Sequence, residues 1–154
     1  MVLATIVAVL MLADTGAAQR NLREARGQRY TKAQVKQVIN RVEDRVDNFV
    51  KNFDRSLDRS AKNGTDREDW LNRRARDLET ATDELAREFN RRDAWVENKD
   101  ETRKCLNIAS DIDRNVRRNR YGEGTENNWS RVRFELNTLA DIYNLQRIGA
   151  NSYR

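Results

Sequence analysis

Histidine is absent from the chain, and cysteine occurs once, at Cys105. Those two facts remove the Ser-His and Cys-His nucleophile arrangements, haem ligation by histidine, and the Glu-x-x-His pairs that hold two metals inside helical bundles. Thiolate metal sites go with them. Gly122 and Gly124 precede a helix, but without the lysine and spacing of a phosphate-cradling loop. The side chains left for chemistry are carboxylates and arginines. Paired Asp and Glu can run glycoside hydrolysis, provided that two of them converge in a cleft whose surroundings push their pKa values apart. Helical projection places no Asp or Glu on an apolar stripe; the polar residues falling there are Thr82 and Arg92. Glu43, Asp44 and Asp47 project away from the first stripe and read as a solvated face. The expectation is a protein that is not an enzyme, with no catalytic residue, no metal and no cofactor.

Arginine is the other candidate. Of 30 basic residues only six are lysine, set against 25 acids. Guanidinium groups make planar, multi-donor contacts to carboxylates and phosphates that an ammonium does not. They serve either as partners for neighbouring acids or as an anion-binding surface. The densest patch is "QRNLREARGQRYTK", where Arg20, Arg23, Arg26, Arg29 and Lys32 stand against one acid, Glu24. Residues 19–62 carry a net charge of +6 and residues 63–98 carry −3. The expected anion site joins that patch to Arg91 and Arg92, and its expected partner is an anionic lipid, a polysaccharide or an acidic protein. Nucleic acid is the weaker reading, since neither a groove-reading element nor an aromatic stacking platform accompanies the charge. Phe134 and Leu145 lie opposite the main stripe of the last helix, an interaction patch through which copies would self-assemble into a homo-oligomer.

The elements that position these groups are helical. Charged residues reach 36 % and hydrophobic ones only 38 %, yet the net charge is just +5 and proline is absent. Dense mixed charge with regular apolar spacing indicates long amphipathic helices rather than disorder. Val35, Val38, Ile39, Val42, Val46, Phe49, Phe53 and Leu57 step by three and four along one stripe, behind a Thr31/Gln34 capping box. Asn63-Gly64 turns the chain, and "GTDREDW" starts a second helix with Thr65 as its cap and Glu68 closing the box. Its stripe runs from Leu71 through Leu78, Leu85 and Phe89 to Val96, with Arg92 on it and Trp70 and Trp95 flanking it. Asn98 with Glu101 caps a third helix bearing Cys105, Ile108, Ala109, Ile112 and Val116. "GTENNW" then repeats the earlier phrase, Thr125 capping a fourth helix with Trp129, Val132, Leu136, Leu139 and Tyr143.

The repetition extends further: Asn40, Asp44, Asn48 and Asn52 recur as Asn107, Asp111, Asn115 and Asn119 at a constant offset. We read an internally duplicated αα-hairpin and an all-α, up-down-up-down four-helix bundle built from two such hairpins, the first longer. Its surplus length places the start of helix one and the end of helix two beyond the short pair. The organisation expected is a signal peptide over residues 1–18, a basic arm over 19–30, the bundle over 31–148 and a C-terminal tail over 149–154. The signal reading rests on the apolar run Val2–Ala13, too short to span a bilayer, followed by Gly16-Ala17-Ala18 as the small residues of a cleavage site. It departs from the pattern in having no Lys or Arg before the run. The functional expectation is an exported protein, periplasmic or secreted, that binds an anionic envelope component or acidic protein; the alternative is a structural, self-assembling one.

Overall fold

The structure is a computed structural model, and it describes residues 30–59, 64–119 and 121–150. The signal segment, the arm with Arg20, Arg23, Arg26 and Arg29, and residues 151–154 lie outside the described residues. Four helices follow one another: α1 (Lys32–Asp58), α2 (Asp66–Arg91), α3 (Lys99–Arg118) and α4 (Glu123–Ile142), with a 3-10 turn at Trp95–Asn98 before α3. Each helix packs on the next and α4 returns to α1, closing an antiparallel ring. The α1–α2 seam therefore lies across the bundle from the α3–α4 seam. Among the described residues no helix is long and apolar enough to cross a membrane.

The apolar stripes meet in one core, in which Val42, Val46, Phe49, Leu78, Leu85, Ile112, Leu136 and Leu139 are fully buried. Rings lock α1 to α4 near the turns. Phe49 stacks on Phe53 at 4.9 Å between centroids, Trp129 tilts over Phe49 at 5.0 Å, and Tyr121 meets Phe53 edge-on at 5.3 Å. At the other end Tyr143 packs against Trp95, and its hydroxyl donates to the Trp95 carbonyl over 2.9 Å. Cys105 is buried in this core as a small apolar residue, and burial pushes its thiol up to about 12.

The capping box of α1 forms as expected: the Gln34 N–H donates to Thr31 Oγ1 and the Thr31 N–H to Gln34 Oε1. The other starts differ. Thr65 caps α2, but Glu68 accepts from the Gly64 N–H, one residue outside the expected box, and is itself buried. Asn98 does not cap α3 with its side chain; it donates to the Trp95 carbonyl and holds the 3-10 turn, while Glu101 turns to Arg92. The helix α4 begins two residues before Thr125, behind Gly122, whose φ of 91° suits glycine. Thr125 is thereby buried, sharing a hydrogen bond with Ser56 on α1.

The second helix is shorter than its stripe suggested. It stops at Arg91, so Val96 belongs to the turn and Arg92 is a partly exposed terminal residue rather than part of the core. The expected overhang is absent at this corner: Arg92 reaches Glu101 in the first turn of α3. The core is also less purely apolar than the projection implied, since Glu68, Asp113 and Glu135 are all buried. The repeated asparagines share one bonding pattern. Asn48 and Asn52 donate to the carbonyls four residues earlier, and Asn115 and Asn119 do the same on α3.

Truncating Phe49 to alanine removes the ring that touches both Phe53 and Trp129, and should lower the unfolding free energy by about 3–5 kcal/mol in urea titration. In the native protein Cys105 should resist alkylation at pH 8 and react fully once urea unfolds the chain.

Candidate arginine-lined anion site on the α3–α4 seam

One carboxylate organises the α3–α4 seam. The offset of 67 residues that carries Asn40 to Asn107 carries Val46, a fully buried core residue of α1, to Asp113 on α3. Asp113 is only 2 % exposed, and a buried charge must be paired and hydrogen-bonded. Its Oδ1 accepts from Trp129 Nε1 at 2.9 Å and from Arg133 Nη1 at 3.3 Å, both on α4. Its Oδ2 faces Arg117 Nε, one turn further along α3, at 2.9 Å. Two guanidinium groups thus share one carboxylate. Arg117 keeps 52 % of its side chain exposed and Arg133 keeps 34 %, so both present donors outward.

The segment after α4 completes the seam. Tyr143 and Ile148 are buried, and the Ile148 N–H donates to Asn137 Oδ1 at 2.7 Å, holding the segment to α4. Gly149 then adopts a φ of 77°, and a Cβ there would stand 3.1 Å from Arg117 Nη2. The positive φ favours glycine, and the missing Cβ leaves room beside the guanidinium. Between α3 and this segment lies a cleft of about 460 Å³, lined by Asn107, Ser110, Asp113, Arg117, Gln146 and Arg147 among others. A second, of about 530 Å³, opens on the α4 side of Arg117, with Trp129 and Arg133 on its wall. A third, of about 360 Å³, runs between Arg133, Arg147 and Phe134. Arg117 borders the first two and Arg133 the last two, so neighbouring depressions share a wall.

The residues named from the sequence lie elsewhere. Lys32 is described, and its Nζ donates to the Arg92 carbonyl at 2.6 Å while lying over the Phe89 ring. Arg92 donates to Glu101 and to the Glu97 carbonyl and pairs with Glu88. Both act within the protein, stitching the start of α1 and the end of α2 to α3. Arg91 pairs with Glu88 at 2.7 Å and is otherwise exposed. The patch named for self-association also divides: Phe134 is 68 % exposed, whereas Leu145 lies beyond the end of α4 and packs partly buried against the core.

Several arginines take neighbouring acids as partners. Arg74 and Arg114 both bond Asp111, Arg147 bonds Asp141, and Arg41 donates from Nε to both oxygens of Glu135 at 3.1 Å. The first acid on the opposite seam behaves differently from the solvated face expected. Glu43 is half-buried, and desolvation raises its pKa, with Asp83 across the seam, then Asp47 and Asp44, adding like charge. Glu79 is raised for the same kind of reason, desolvation first, then Asp47 and Asp83. Among the described residues no group of three or more His, Cys, Asp or Glu is arranged to hold a metal.

Asp113→Ala leaves the Trp129 N–H without its acceptor and frees two partly exposed arginines, and should destabilise the fold by about 1–3 kcal/mol in urea unfolding. Stability indistinguishable from the parent would contradict this assignment. Glu43 gives a test of opposite sign. Its folded pKa lies above 4.5, so the folded state holds the proton more tightly and ionisation opposes folding. Glu43→Gln should therefore raise the melting temperature at pH 7, and the gain should vanish as pH falls below 4.5.

Comparison with protein-family models, with curated proteins and with solved structures finds no match.

Proposed function

We propose that this is an exported, non-catalytic helical bundle that works by binding an anionic component of the cell envelope or an acidic protein. The observation that carries the reading is the sharing of Asp113 by Arg117 and Arg133. A lone carboxylate sits where the repeat places a core valine, and its effect is to fix two arginines whose outer donors face the clefts. Preorganised guanidinium groups lose less freedom when they engage an anion than mobile ones do. The basic arm, with Arg20, Arg23, Arg26 and Arg29 close together in sequence, adds charge for a larger anionic surface. Export is read from the apolar run Val2–Ala13 and the small residues behind it.

The test is a titration of the chain without residues 1–18 onto anionic vesicles and onto poly-glutamate at low and high salt. Binding should appear at low salt and weaken as salt screens it. Arg117→Gln combined with Arg133→Gln should weaken it by about tenfold or more. No association with either probe at low salt would end the proposal.

A structural, self-assembling role is the second reading, favoured by Phe134 standing open on α4. Light scattering at rising concentration separates the two. A mass that grows with concentration, and returns to that of a monomer in Phe134→Ser, would favour assembly.

A further inference from the structure

The depressions on the α3–α4 face continue past the anion site. Beyond the cleft between Arg133, Arg147 and Phe134 lies another of about 370 Å³, walled by Phe134, Arg131 and Arg45. Phe134 is the ridge between the two, its ring exposed on α4. The four depressions form a track from the 146–150 segment, over Arg117 and Arg133, across Phe134, to Arg45 on α1. Six arginines line it against four carboxylates; from outside the track Arg41 holds one of the carboxylates, Glu135, and Asp111 holds one of the arginines, Arg114. Between the charges the lining is amide and hydroxyl: Asn107, Ser110, Ser130, Asn137, Thr138 and Gln146.

We infer that this track binds a strand of acidic polysaccharide, with arginines taking the uronate carboxylates and Phe134 supporting a sugar ring. The inference rests on the binding reading above and narrows its ligand. Guanidinium groups match planar carboxylates through paired N–H donors. A sugar ring carries C–H groups on one face, which suit the negative face of an aromatic ring, and hydroxyls at its edge, which suit the amides and hydroxyls of the lining. A bilayer calls instead for a basic face with several apolar residues to insert, and among the described residues Phe134 is the exposed large hydrophobic. A nucleic-acid strand calls for successive exposed aromatic platforms; of the two aromatic residues on the track, Trp129 is buried and Phe134 is exposed.

The experiment is isothermal titration of the chain lacking residues 1–18 with a short oligogalacturonate, with its neutral methyl ester, and with a single-stranded oligonucleotide of equal charge. Anionic vesicles and poly-glutamate serve as general anion controls. Oligogalacturonate should bind more tightly than the ester and the oligonucleotide. Phe134→Ala should weaken its binding about five- to tenfold, with helical content unchanged. Equal affinity for the ester or the oligonucleotide, or no effect of Phe134→Ala, would overturn the inference. Binding to vesicles or poly-glutamate but not to oligogalacturonate would also overturn it, leaving the broader binding reading in place. Failure of every anion to bind would remove both.

Discussion

A carboxylate taken out of water demands partners, and Asp113 takes three. Trp129 ties it to α4, Arg133 reaches it from the same helix, and Arg117 reaches it along α3. The bonds join the two helices of the short hairpin and at the same time fix where the guanidinium groups point. Removing one member changes the others, because each oxygen of the carboxylate is committed. The Arg117 and Arg133 side chains, and the clefts they line, are placed by this arrangement.

The bundle supplies the frame for it. Antiparallel neighbours in a closed ring put the α1–α2 seam across from the α3–α4 seam, and the two seams carry opposite chemistry. On one, Glu43 and Glu79 are raised by burial and by acids on the facing helix. On the other, Arg117 and Arg133 share the carboxylate of Asp113. The end with Lys32, Arg91 and Arg92 acts as a joint, where Lys32 caps a carbonyl at the end of α2 and Arg92 binds the first turn of α3.

The helices, their antiparallel order and the greater length of the first hairpin were legible in the sequence because stripes of three- and four-residue steps leave little choice of face. Thr31 with Gln34 was legible too, a cap made wholly from local residues. Thr125 was not: Gly122 starts α4 earlier, and the threonine is drawn to Ser56 on another helix. Arg92 looked like part of a stripe because nothing local marks the end of α2. Asp113 was missed because apolar residues alone traced the stripe of α3, and a carboxylate between Ile112 and Val116 registers as a gap. The repeat held the missing signal, since its offset places Asp113 on Val46. Which acid each arginine chooses depends on inter-helix distances that no sequence window contains.

The central claim is that anions meet this protein at the arginines anchored by Asp113. Nuclear magnetic resonance of the folded chain, titrated with inorganic sulfate while following the tryptophan indole and arginine Nε–H signals, tests it most directly. Saturable shifts are expected at Trp129, Arg117 and Arg133, with Arg92 and Trp95 unmoved. Shifts centred on Arg91 and Arg92, or none at any sulfate concentration, would contradict it.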